Sequence, residues 1–342
     1  MSIYLKYTSS IIGHLLKSFY PSLTKKEISS LINYYPKLIN QVPDKNEIVQ
    51  LKGLLMFLNL RIGNLIFFNS FKKITSLSRN RIEIVFKKNL ESKIMLKRKA
   101  TFNILSLLGI LVTRENNHAT EKIWRSMNYG QNINVSAYSY KKNKFNGEEI
   151  DVAIIGSGAG GGVAAGIISK SSRKVSIFEK SKELIEAKSS ISEGEAYSEL
   201  YESSGLAQAR GSGAILLAGS TLGGGTTINW TTSFEPPSII RKEWEKLSKT
   251  SNTFTSDEFT NSIKEVTTRI NVNSSSNKTP LKEMKLKEGL EQINIETKEM
   301  ARNVKGCNGT ECGFCGFGCI NKYKQSTKET WIKDAQKNGT NI

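Results

Sequence analysis

The chain has 342 residues, enough for about two domains that each bury a core. Its 49 Lys and Arg outweigh 31 Asp and Glu, and residues 1–150 hold 24 of the basic residues but only 9 of the acidic ones, so nearly all of the +18 net charge sits there. No base-reading motif accompanies that charge, which argues against nucleic acid as a partner. All four cysteines fall in 307–319 behind no secretory leader, which argues against a disulfide-stapled secreted protein.

In residues 1–149 the basic side chains alternate with apolar helical segments, a pattern that suits an anionic membrane surface, with a simply solvated basic face as the alternative. The expected location is intracellular and membrane-associated. Thr24-Lys-Lys-Glu27 has capping-box spacing and opens a helix that Pro36 is expected to end. A second helix is predicted from about Asn46 to Phe68, because Leu51, Leu54, Leu55, Leu58, Ile62, Leu65 and Ile66 fall on one stripe. Helices over about 79–91 and 97–112 follow. The last has 14 uncharged residues between Lys99 and Arg114. That is about 21 Å of helix against a hydrocarbon core of about 30 Å, so it either packs in the core or lies in the plane of a membrane face. Residues 115–149 read as a linker.

The stretch from Asp151 to Glu179 is a strand, a glycine turn, a helix and a second strand. Gly156 makes the tight turn, Gly158 lets backbone approach a pyrophosphate, and Gly161 lets the helix pack on the strand. Ser157, Ala159 and Gly160 complete the turn, whose helix N-terminus offers unpaired N–H groups to phosphate oxygens. Glu179, closing the second strand, is placed to accept hydrogen bonds from both ribose hydroxyls. The motif implies a dinucleotide and does not separate FAD from NAD.

A second glycine bend follows at Gly219 and Gly223 to Gly225, carrying Thr226, Thr227 and Asn229. Backbone amides at such a bend can close on a flat or anionic ligand. Residues 241–300 read as two or three amphipathic helices around a Ser/Asn-rich loop. Then comes Cys307-x4-Cys312-x2-Cys315-x3-Cys319. Four thiolates this close could wrap an iron–sulfur cluster or zinc, or could form a metal-free loop. Thr330 to Ala335 reads as the end of a short helix, and Asn338-Gly339 as a turn into a strand that is expected to continue in a longer protein.

Gly219-x3-Gly223-Gly224-x4-Asn229, about 60 residues after the first turn, resembles the FAD-contacting signature of the glucose-methanol-choline oxidoreductases. LYESSGLAQARGSGAILLAGSTLGGGTTINWTTSFEPP and CGFCGFGCINKYKQSTKETWIKDA look like that family's long-chain (fatty) alcohol oxidase branch, and the N-terminal helices resemble it through weaker motifs. The resemblance implies an α/β fold: a helical region over 1–149, an incomplete FAD-binding Rossmann-like domain over 150–240, and part of an α+β substrate domain over 241–342. It also implies that Gly156, Gly158, Gly161 and Glu179 hold the ADP half of FAD, with Gly223, Gly224 and Asn229 along the pyrophosphate and flavin. Where the wider family has Ser after its glycine pair, this chain has Gly225 and then Thr226. The implied reaction takes a long-chain alcohol and O2 to an aldehyde and hydrogen peroxide. Neither His14 nor His118 matches the family's catalytic base, so no catalytic residue is assigned and this chain alone is expected to be inactive. Two other readings remain: a flavin dehydrogenase passing electrons through a cysteine-held cluster, and a non-catalytic membrane-adsorbing remnant.

Overall fold

In the computed structural model, the described residues are 3–114, 122–123, 125–126, 139–141, 147–181, 183–186, 193–209, 214–276, 279–307, 313–319 and 321–342. They group into two compact units, Met1–Ile133 with Ser192–Leu217, and Asn134–Ile191 with Ala218–Ile342. The first unit is helical: α1 (Ile3–Phe19), α2 (Lys25–Asn40), α3 (Lys45–Asn59), α4 (Arg61–Phe68), α5 (Arg79–Leu90), α6 (Met95–Arg114), and the later helix α8 (Glu193–Leu200), which packs on α6.

The capping box at the start of α2 is present. The Thr24 hydroxyl accepts from the Glu27 N–H at 3.3 Å, and the Glu27 carboxylate accepts from the Thr24 N–H at 2.6 Å. Pro36 does not end this helix, which runs on to Asn40. An interior proline costs about 3 kcal/mol. Here Tyr35, Leu38 and Ile39 are buried in the core on either side of it, and that packing outweighs the lost hydrogen bond. The predicted helix over 46–68 is instead two helices, α3 and α4, broken at an extended Leu60 and bent by 97°. Its apolar stripe divides at the break: Leu55 and Leu58 are buried, while Ile62 and Ile66 face solvent. Of the two expectations for α6, core packing holds, since Ile104, Leu107, Leu108, Leu111 and Val112 join the same core as Ile11, Leu15 and Phe86. Among the described residues no single helix is long and apolar enough to cross a membrane.

The second unit mixes helices with short strands: β1 (Ser139–Lys141), β2 (Val152–Ile155), α7 (Ala159–Ile168), β3 (Val175–Phe178), β4 (Glu183–Glu186), α9 (Gly225–Ile228), α10 (Ser238–Ser248), α11 (Asp257–Arg269), β5 (Val272–Asn273), α12 (Leu281–Glu291), β6 (Arg302–Asn303) and α13 (Trp331–Lys337). β2 and β3 pair in parallel, Val152 opposite Val175 through Ile155 opposite Phe178, with α7 as the crossover. On the far side of β3, the Ile177 N–H donates to the Asn341 carbonyl at 2.8 Å, so the terminal residues take a strand position. β1 pairs with β4 and β5 with β6, both antiparallel, so the described strands form three two-stranded sheets. The fold is helix-rich with few strands. The three helices α10, α11 and α12 lie where two or three were expected, and α13 begins at Trp331, where the sequence pattern suggested a helix end.

α7 lies so closely against α13 and the segment before it that a Cβ at Gly162 would come within 2.7 Å of Thr327 Cβ, and one at Gly166 within 2.7 Å of Trp331 Cβ. Ala165, Ile177, Leu222, Ile332 and Ala335 form the small core beneath them. Gly166→Val therefore overpacks this contact and is expected to lower stability by about 1–3 kcal/mol, read as a fall in thermal midpoint by circular dichroism.

Candidate functional site

The site grows from the turn between β2 and α7. Gly156 holds φ +87, a conformation that a side chain disfavours. A Cβ at Gly161 would lie 1.9 Å from the Gly156 carbonyl oxygen, so this glycine is required by the close approach of helix and strand. At Gly158 and Gly160 the position of a Cβ meets nothing within 4 Å. The turn's front is open, and α7 starts there with Gly158 at its N-cap and Ala159 as its first residue.

Ser157 does not face that opening. It is fully buried and joins three segments. Its hydroxyl donates to Glu179 Oε2 at 2.6 Å and accepts from the Gly223 N–H at 2.9 Å, while its own N–H donates to Glu179 Oε2 at 2.9 Å. The Ser181 N–H donates to Glu179 Oε1 at 3.0 Å. Burial pushes the Glu179 carboxyl up, but the hydrogen bonds from Ser157 and Ser181 more than offset it and hold the group below its ordinary value. A carboxylate has about four acceptor positions, and the three hydrogen bonds named here leave about one of them for a further donor.

The second glycine bend closes on the first. A Cβ at Gly224, where φ is +53, would stand 3.0 Å from Gly158 Cα, so only glycine lets the two loops touch here. Thr226 Oγ1 donates to the Gly223 carbonyl at 2.6 Å and lies 2.9 Å from Thr327 Oγ1. Asn229 Oδ1 accepts from the Thr231 N–H at 3.2 Å. A cavity of about 650 Å³ opens beside the loops. Ala159 and Val163 of α7, Thr226 and Asn229 line one side, and the apolar face of α11, with Ile263 and Val266, lines another. Arg269 Nε donates to Asp334 Oδ2 at 3.1 Å, fastening α11 to α13.

Two residues here carry no sequence signal. Thr327 reaches both loops, donating to the Ser157 carbonyl at 3.3 Å and lying against Thr226. Lys324 is buried, and its Nζ donates to the backbone carbonyls of Thr227, Asn229 and Cys315 at 2.8, 2.6 and 2.6 Å. Burial pushes its ammonium down to about 8, with Arg302 acting the same way and the Cys315 and Cys319 sulfurs opposing it. A lysine inside a Lys-rich run reads as surface, and only the fold reveals it as a buried tie.

The cysteine cluster does not assemble a metal centre among the described residues, where no three His, Cys, Asp or Glu converge. Arg302 Nη2 stands 3.7 Å from Cys307 Sγ and 3.8 Å from Cys315 Sγ, placing a cation against two of the expected ligands. Cys319 Sγ instead accepts from the Lys324 N–H at 3.3 Å, and burial pushes its thiol up. Cys312 lies outside the described residues. The iron–sulfur and zinc expectations have no support. His14 Nε2 lies 3.1 Å from the Leu77 carbonyl in the helical unit, and His118 lies outside the described residues.

Residues 197–342 match the GMC oxidoreductase family. The chain is 36% identical over 207 residues to the long-chain-alcohol oxidase FAO4A of Arabidopsis thaliana, covering 58% of this chain and 28% of that protein. It is 36% identical over 192 residues to FAO4B of the same plant, covering 56% and 25%. An uncharacterized GMC-type oxidoreductase of Sinorhizobium fredii is 29% identical over 195 residues, covering 57% and 38%. The matched segment thus spans about a quarter of the length of the plant relatives.

Glu179 also sets a pH dependence. In the unfolded chain it takes up its proton near the ordinary carboxylate value, and in the folded chain at a lower pH. Between the two the unfolded chain binds more protons, so the stability contributed by Glu179 is present above the unfolded value and lost as pH falls through the folded one. Urea midpoints measured from pH 7 to about 3 are expected to fall less steeply for Glu179→Gln than for the wild type.

Proposed function

We propose that this chain, whose residues 197–342 belong to the GMC oxidoreductases, is the FAD-binding part of an alcohol oxidoreductase that oxidises long-chain alcohols to aldehydes with O2 as acceptor. One observation carries the reading. Two glycine loops, at Gly158 and Gly224, meet over open space at the start of α7, with a carboxylate at the end of the neighbouring strand. The names of the plant relatives supply the alcohol and the oxidase chemistry.

The residues present suit an ADP moiety. The pyrophosphate would lie at the α7 N-terminus, where Gly158, Ala159 and Gly160 present backbone N–H groups and no side chain fills the space. Glu179 would accept from a ribose hydroxyl with the acceptor position that Ser157 and Ser181 leave open. Thr226 and Asn229, which line the cavity, would border the remainder of the cofactor, with Gly223 and Gly224 in the loop beside it. Bound FAD supplies the hydride acceptor for oxidation of a CH–OH group. The chain's own contribution is binding and orientation: the Ser157–Gly223 hydrogen bond fixes the spacing of the loops, and the α11 face gives the cavity an apolar wall. The reading assigns no residue of 1–342 to proton abstraction.

Gly158→Val tests it cleanly, because the new side chain meets no protein atom near its Cβ yet fills the space meant for phosphate. Titration of the chain with FAD, followed by quenching of flavin fluorescence, should show saturable binding that Gly158→Val weakens roughly 100-fold, with the thermal midpoint unchanged. Absence of binding by the wild type, or equal binding by the variant, would remove the cofactor assignment.

A further inference from the structure

By length and composition α3 and α4 together pass as an apolar span, yet their 97° bend prevents a straight crossing. The bend is built in. Asn64 Nδ2 donates to the Leu58 and Leu60 carbonyls at 2.8 and 2.7 Å, and a Cβ at Gly63 would collide with the Phe57 carbonyl oxygen. Leu55, Leu58, Phe67 and Phe68 are buried on the inner side of the pair. The outer side is also apolar. Val49 and Met56 lie seven residues apart on α3, Leu60 stands at the break, Ile62 and Ile66 continue on α4, and Phe71 follows. Leu60 is 54% exposed, Ile62 59% and Phe71 67%. Soluble surfaces seldom carry so many large apolar groups together.

The charges around this ridge are predominantly positive. Residues 44–73 contain Lys45, Lys52, Arg61, Lys72 and Lys73 against Asp44 and Glu47, and Asp44 is used as the α3 N-cap. A nucleic acid would meet the cations but not the hydrocarbon, and an apolar protein groove would meet the hydrocarbon but not the cations. An anionic phospholipid surface meets both. We infer that the α3–α4 corner is a monotopic docking surface for an anionic bilayer. Leu60, Ile62 and Ile66 enter the boundary between headgroups and acyl chains while Arg61, Lys72 and Lys73 meet lipid phosphates. The attachment lies at a helix corner of the first unit and not along residues 104–112 of α6, whose apolar side chains lie in the core or pack against it. It stands independently of the cofactor assignment.

Sedimentation of the 342-residue chain with sucrose-loaded vesicles of phosphatidylcholine containing phosphatidylserine, compared with phosphatidylcholine alone, tests this. The chain is expected to bind the anionic vesicles. Ile62→Asp and, separately, Ile66→Asp should each weaken that binding at least about 30-fold. The pair Lys72→Gln and Lys73→Gln should weaken it about 30-fold on anionic vesicles and little on neutral ones. Leu281→Asp, on an exposed position of α12, should bind as the wild type does. The inference is overturned if the chain stays in the supernatant, or if both aspartate variants bind normally. It is equally overturned if light scattering shows a dimer that Ile62→Asp dissociates, since a second copy would then cover the ridge.

Discussion

One buried hydroxyl sets the spacing of everything around the cavity. Ser157 Oγ donates a hydrogen bond to the Glu179 carboxylate and accepts one from the N–H of Gly223, a residue 66 positions later. The bond to the carboxylate is charge-assisted and therefore among the stronger ones. Without the hydroxyl, the Gly223 N–H would lose its partner inside the protein, a penalty of about 1–3 kcal/mol. The Ser157–Gly223 bond ties together the same two glycine loops whose close approach at Gly158 and Gly224 the missing Cβ of Gly224 permits.

A third segment completes the frame. Thr327 reaches both loops through its hydroxyl, and four residues on, Trp331 begins the helix that packs on α7. Lys324, three residues before Thr327, ties the end of α9 to the cysteine loop through backbone carbonyls alone. No carboxylate is among those three partners, so the carbonyl dipoles hold the charge. Of these supports Thr327 and Trp331 also line the cavity, whereas Lys324 does not.

The parts legible in the sequence are those whose physics is local. The strand, glycine turn, helix and second strand of 151–179 announce themselves because apolar runs and glycines fall at fixed spacing, and the structure forms that unit with parallel pairing. Thr24 and Glu27 were readable for the same reason. Where distant residues decide, the pattern misleads. Pro36 is carried through a helix by core contacts. The stripe from Leu51 to Ile66 reads as one helix because periodicity does not register the carbonyl-capping amide of Asn64. Ser157 looks like a loop residue facing a ligand, but the fold turns it inward. Cysteine spacing counts thiols without revealing that Arg302 stands against two of them.

The path of the chain has a consequence for its synthesis. The helical unit is not finished at residue 133. It recruits residues 192–217, including α8, which covers part of α6, after β2, α7 and β3 of the other unit have already been made. On a ribosome the first six helices emerge as an incomplete body with one flank of α6 uncovered, and they wait for about 80 more residues before the flank is closed, several seconds at ordinary elongation rates. During that interval the nascent βαβ segment is held as a loop between two parts of a domain that is still assembling, so the maturation of one unit is kinetically tied to the other.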